Sequence, residues 1–287
     1  MNTRAGYVSR VLASVARILL GLGVAYLVLL VLAWRFQNRM ALPGARGPLV
    51  TPEQARIPDG QIVEVTTPDG EHLRGWYLPP NPRPLTGGAP GLLWYYGNME
   101  SVSGLAFLLR GFRPPGVALL ILDYPGYGES SGSPSEQGLY ATADAGWAYL
   151  ASRPELDSTR IAVYGRSVGS VPALYAATSH PVRAVVLESP LTTAWDMARV
   201  HYPFLPRFIL RLSLNNLERA GRLTAPLLVV HGDGDQIAPP WMGRAVAEAG
   251  HAREFVIIKG AGHNETYDVG GRDYREKVLA FLTETLQ

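Results

Sequence analysis

Six continuous apolar runs separated by helix-type stretches constrain this chain more than any other feature. The runs lie at 91–96, 117–123, 160–164, 184–187, 225–231 and 254–258, and candidate helices fall between or after them at 101–110, 135–152, 170–179, 241–249 and 272–286. A strand that is apolar without alternation is buried on both faces, as in a parallel sheet covered by helices on each side. Strand–helix alternation then predicts a right-handed, doubly wound, mostly parallel α/β sheet. Ahead of it, runs at 61–67 and 71–78 flank Pro68-Asp69-Gly70, a turn sequence that predicts a hairpin. In open sheets of this kind ligands bind outside the carboxyl ends of the strands, so the loops there are where chemistry is to be sought.

The first forty residues stand apart from that pattern. Positions 18–34 read ILLGLGVAYLVLLVLAW, uncharged, with Arg17 before and Arg35 after. At 1.5 Å per residue the run spans roughly 25 Å, just short of a hydrocarbon core. Extending it back to Val11 admits Arg17, whose side chain can snorkel to the head groups. The run is long for the apolar part of a signal peptide, and no A-x-A site follows it. The expectation is therefore a membrane anchor over 1–40 ahead of a catalytic domain over 41–287. Arg4, Arg10 and Arg17 precede the span, while Arg35, Arg39 and Arg46 follow it, so charge assigns no orientation.

Composition narrows the chemistry. An apolar fraction of 47% and a charged fraction of 17% describe a chain with a large core, and a formal net charge of +2 gives no reason to expect nucleic acid. The absence of cysteine removes disulfides, a thiolate nucleophile and Cys-ligated metal sites. Asp233-Gly234-Asp235 lacks the further ligands of a calcium loop, and no metal or organic cofactor is expected.

The pattern G-x-S-x-G occurs twice, at 128–132 and at 165–169. With 31 glycines in the chain the pattern alone is weak, and context decides. A nucleophile turn needs a buried strand running into it and a helix running out. Ser167 meets both conditions: RIAVY precedes its motif and the small-residue stretch VPALYAA follows. Ser130 sits between PGYG and Ser-Pro-Ser and reads as a polar turn residue.

A serine hydroxyl is a poor nucleophile until a general base takes its proton, and that base needs an orienting carboxylate. In this topology acid and base follow the serine in that order, each after a late strand. HGDGDQIAPP after the run 225–231 offers Asp233 and Asp235, and KGAGHNET after the last run offers His263. His72, His180, His201, His231 and His251 are less well placed. Two backbone donors for an oxyanion are expected at Val168, directly after the serine, and at Asn98, in the loop WYYGNMES.

These residues resemble the α/β-hydrolases, and in particular a small membrane-tethered, depalmitoylase-like branch. The resemblance runs through QNRMALP, LDYPGYGESSGSPSEQGL, GRSVG, LESPLTT, PFLP, APLLVVHGDGDQIAPP and GAGHNE. It implies a Ser167–His263–Asp235 triad, since the branch's H-G-x-x-D spacing from His231 selects Asp235 over Asp233. Two departures stand out: Tyr96-Gly97-Asn98 replaces His-Gly-Asn, and Pro125 replaces the arginine of D-Y-R-G-Y-G. Ala238 also differs from the aliphatic residue before the motif's proline. The implied activity is hydrolysis of acyl esters or thioesters through an acyl-enzyme. An insertion at 190–223, carrying Trp195, Tyr202, Phe204 and Phe208 with Arg207 and Arg211, reads as a cap and suits a lipid-like substrate at a bilayer surface. A serine peptidase and a non-catalytic scaffold that kept the fold are the alternatives.

Overall fold

The computed structural model describes residues 2–84 and 86–287. Helix α1 (Asn2–Ala41) leads into the hairpin β1 (Gln61–Thr66) and β2 (His72–Leu78). The units β3 (Ala89–Tyr95) with α2 (Ala106–Gly111), β4 (Ala118–Leu122) with α3 (Glu136–Ala151), and β5 (Leu156–Arg166) with α4 (Ser170–Ser179) follow. Next come β6 (Ala184–Glu188), a cap holding α5 (Ala194–His201) and α6 (Asn216–Ala220), then β7 (Leu227–Gly232) with α7 (Pro240–Ala249). Strand β8 (Glu254–Ile258) and helix α8 (Thr266–Thr285) complete the chain. The eight strands form one sheet in the order β1-β2-β4-β3-β5-β6-β7-β8, antiparallel from β1 to β4 and parallel from there to β8.

Burial follows the hydropathy patterns except at β8, where the run 254–258 is exposed or half-buried at one edge of the sheet. Every residue of β4 and of β6 is buried, whereas β1 is mostly exposed at the sheet's edge. Successive side chains of β3 leave on opposite faces. Leu93 meets Gly146 of α3, while Trp94 stacks on Tyr164, with ring centroids 4.0 Å apart, and meets Phe112 edge-on. Phe112 in turn lies against Tyr274 of α8. Helices thus cover both faces of the sheet, as continuous apolar strands require.

Local chemistry sets the helix starts. Ser135, Thr193 and Asn215 each cap a helix by accepting a main-chain N–H, and Pro240 opens α7 at a position where no N–H is needed. Several boundaries differ from expectation, and strand β5 begins at Leu156 rather than at 160. The first half of 101–110 is a 3-10 turn, Val102–Leu105. Helix α8 begins at Thr266, well before 272, and is kinked at Gly271 with φ +54°. The Gly270-Gly271 pair has low helix propensity and hides that first turn from a periodicity reading.

Helix α1 is long and apolar enough to cross a membrane, with a mean hydropathy of 2.5 over its best window and 6% of that window buried. It does not end where the apolar run ends. Its last turns enter the body of the protein, where Leu30 and Ala33 bury against Ile209 of the cap with Leu205 packed on them. Gln37 fastens this contact, donating to Ile209 O and accepting from the N–H groups of Arg211 and Leu212.

Candidate active site

Strand β5 is buried over its last six residues and ends at Arg166. Ser167 follows at φ +52°, a region that non-glycine residues seldom adopt, and begins a 3-10 turn leading straight into α4. This strand–turn–helix holds the serine beyond the carboxyl edge of the sheet. The flanking glycines are required by space: a Cβ on Gly165 would stand 2.5 Å from Gly169 O, and one on Gly169 would stand 2.2 Å from Tyr95 O.

The loops after β7 and β8 bring Asp235 and His263 to this serine. His263 Nε2 lies 2.8 Å from Ser167 Oγ, and its Nδ1 lies 2.7 Å from Asp235 Oδ2. A carboxylate only accepts, so Nδ1 carries the ring proton and Nε2 of the neutral ring is free to accept from the serine. Asp235 Oδ1 accepts the N–H groups of Ile237 and Ala238, each at 2.9 Å. Burial opposes ionisation of Asp235, but hydrogen bonds from His231 and His263 outweigh it and hold the carboxyl well below the usual carboxylate range. Asp233 is placed differently, its Oδ1 accepting from Gly260 N at 2.7 Å. Ser130 is a brace, donating to Asp123 O at 2.7 Å and accepting from Arg74 N at 3.0 Å.

Val168 and Asn98 line the same pocket as Ser167. The Asn98 side chain braces its loop, with Nδ2 donating to Ala41 O at 2.7 Å and Oδ1 accepting from the Tyr127 hydroxyl at 2.8 Å. Tyr96, which stands where the resembling branch has histidine, donates to Asp123 Oδ1 at 2.8 Å. Tyr124 donates to Tyr96 O at 2.8 Å, and the rings of Tyr96, Tyr124 and Tyr127 pack together. Three tyrosines and Asn98 therefore hold this loop, and neither the histidine nor the arginine of the branch motif is needed to do so.

Several contributors were not singled out by the sequence. His231 is fully buried, with Nε2 2.7 Å from Ala238 O and 3.1 Å from Asp235 Oδ2. Both oxygens accept, so Nε2 carries the proton and His231 supports the acid from its far side. Arg166 joins three parts of the site. It pairs with Glu100, whose other oxygen accepts Gly97 N–H; it reaches Glu188 at 3.4 Å; and it donates to Asn264 Oδ1 at 2.7 Å beside His263. Burial works against the Arg166 charge, but Glu188 and Glu100 outweigh it and raise its pKa above the ordinary value. The signal for His231 was its place in the HGDGD motif, and for Arg166 its place inside G-x-S-x-G.

The pocket over Ser167 measures about 400 Å³ and is mostly apolar. The cap supplies Trp195, Tyr202, Leu205 and Ile209, and α1 supplies Ala33, Gln37, Met40 and Ala41.

A sheet of this order, with a positive-φ serine between its fifth strand and the following helix, defines a class of α/β protein, and residues 87–218 match the family described as alpha/beta hydrolase fold. The chain belongs to the α/β-hydrolase superfamily and is a hydrolase of that fold. It is 37% identical over 254 residues to the uncharacterized protein Rv2307c of Mycobacterium tuberculosis, covering 88% of this chain and 89% of that one. It is 33% identical over 197 residues to human alpha/beta hydrolase domain-containing protein 17B, covering 68% of this chain and 67% of that one. Among solved structures, an esterase of Pyrococcus furiosus superposes with a TM-score of 0.68 at 19% identity, covering 85% of this chain and 98% of that one. A puromycin-hydrolyzing peptidase of Mycobacterium tuberculosis gives 0.67 at 21%, covering 79% of this chain and 39% of that one. Both likenesses concern the fold.

Proposed function

We propose that the protein is a membrane-anchored serine hydrolase that cleaves acyl esters or thioesters of lipid-like substrates. The observation that carries this reading is the unbroken hydrogen-bonded path from Ser167 through His263 to Asp235 at an apolar pocket. Ser167 attacks the acyl carbonyl while His263 Nε2 takes its proton, and Asp235 stabilises the imidazolium that forms. The main-chain N–H groups of Val168 and Asn98 receive the developing oxyanion. His263 returns the proton to the leaving oxygen or sulfur, and water then releases the acyl group by the same route. Helix α1 holds the domain at the membrane.

The pocket favours an acyl chain over a peptide. Among the described residues no Asp or Glu lines it, so nothing acidic is there to receive a peptide's amino terminus. Its arginine, Arg166, is engaged by Glu100 and Glu188 and so does not offer a free cation to a carboxylate terminus. The experiment compares short-chain soluble esters with long-chain esters and thioesters in mixed micelles. The expected result is higher kcat/KM on the long-chain substrates and loss of both activities in Ser167→Ala. Efficient turnover of short-chain esters with none of long-chain ones would refute the substrate class.

A further inference from the structure

Helix α1 and the cap do more than touch at the domain's edge. Tyr26, in the middle of the apolar run, donates its hydroxyl to Phe204 O at 2.7 Å. Below it, Leu30 and Ala33 bury against Ile209. Lower still, Gln37 holds the main chain at 209–212, and the Arg211 guanidinium lies 4.6 Å from the Trp34 ring and donates to Trp34 O. From Tyr26 to Gln37 the helix rises roughly 16 Å, about half the thickness of a hydrocarbon core. A bilayer that receives the apolar part of α1 must therefore receive the cap segment fastened beside it.

We propose that the cap tip, residues 202–209, is immersed in one leaflet alongside α1, and that the pocket opens sideways into that leaflet to take acyl chains directly from the bilayer. This rests on the membrane-anchored serine hydrolase reading above and adds the route by which its substrate arrives.

The tip has the surface such a position requires. Phe208 is 81% exposed and Phe204 53%, a large apolar exposure for a segment facing water. Part of its backbone donor set is already absent or satisfied within the cap. Pro203 and Pro206 have no N–H, while Tyr202, Leu205, Ile209 and Leu210 donate theirs to Ala198, Tyr202, Pro206 and Arg207. The Tyr26 hydroxyl, which would be costly alone in hydrocarbon, is satisfied by Phe204 O. Arg207 and Arg211 lie against Trp195 and Trp34, cation–indole pairs suited to the head-group level. The pocket's rim agrees: Met40, Met99, Tyr202 and Ile237 line it and are themselves exposed, so its mouth is edged by apolar side chains.

Because the chain has no cysteine, depth can be read at single introduced thiols. The full-length protein carrying Phe208→Cys or Asp273→Cys is labelled with an NBD fluorophore and placed in phosphatidylcholine vesicles with doxyl-labelled acyl chains. Quenching at Phe208→Cys and none at Asp273→Cys is expected; a water-exposed, unquenched label at Phe208→Cys in inserted protein overturns the proposal. In parallel, Phe204→Ser/Phe208→Ser should lower turnover of a vesicle-borne long-chain ester by about tenfold or more while leaving a soluble short-chain ester within about twofold. Equal effects on both substrates, or on neither, contradict lateral entry. Wild type that hydrolyses no ester while its tip label is quenched would mean that the chemistry fails and the immersion holds.

Discussion

The Tyr96 hydroxyl donates to Asp123 Oδ1 at 2.8 Å, tying the carboxyl end of β3 to that of β4 beneath the loop that carries Asn98. The same oxygen accepts Val102 N–H at 2.8 Å, while Oδ2 is buried without a partner. Burial raises the Asp123 pKa from 3.8 to about 6, although both hydrogen bonds favour the charged form.

This gives a signed pH dependence. A carboxyl whose folded pKa is raised keeps its proton longer in the folded state, so stability falls as pH rises from about 4 to about 6 and is level beyond. The contribution is on the order of 3 kcal/mol. Asp123→Asn should remove it while keeping an acceptor for Tyr96. Thermal melts of wild type and variant in detergent should show a Tm difference that favours the variant increasingly between pH 4 and 6; a difference independent of pH would contradict the assignment.

His231 touches Asp235, and in the proposed triad it acts as a positioning residue. His231→Leu should lower kcat by about tenfold or more with KM little changed, since an unsupported carboxylate orients His263 less well. His231→Gln, which can return a donor toward Asp235, should recover part of that loss. A KM effect alone would assign His231 to packing.

Arg166 is buried between Glu100 and Glu188, so Arg166→Met removes the cation from Glu188 and leaves it only the hydroxyls of Tyr164, Thr266 and Tyr274. Breaking such a pair costs about 3–5 kcal/mol. The same variant frees the Glu100 and Asn264 loops, and Tm and kcat should fall together. A variant with unchanged Tm would show that the cluster contributes nothing to the fold.

Gly169→Ala places a Cβ 2.2 Å from Tyr95 O, a main-chain atom of the central strand β3. It should destabilise by roughly 2 kcal/mol or more and abolish activity by displacing Ser167. Gly21→Ala, whose Cβ would meet nothing within 4 Å, serves as the neutral comparison in the same melts.

The strands were legible because their burial leaves a direct trace: β4 is apolar throughout and β6 is apolar up to its last residue, Glu188. Ser167, Asp235 and His263 could be placed together because each follows a parallel strand, and parallel strands end on one edge. What stayed hidden depends on contacts between distant segments. Nothing local in Arg166 or Glu188 tells that they meet, and His231 reads as a strand end until its neighbour Asp235 folds back beside it. The end of α1 was the other blind spot. An apolar run marks what can enter a membrane but not that Ala33, Gln37, Met40 and Ala41 go on to wall the pocket. The division at residue 40 between anchor and domain therefore passes through the site.

Activation of Ser167 as a nucleophile is tested most directly by fluorophosphonate labelling of the detergent-solubilised protein, with peptide mapping of the adduct. The account predicts one modified residue, Ser167, with labelling lost in Ser167→Ala and kept in Ser130→Ala. A folded wild type that takes no label, or an adduct on Ser130, would contradict it.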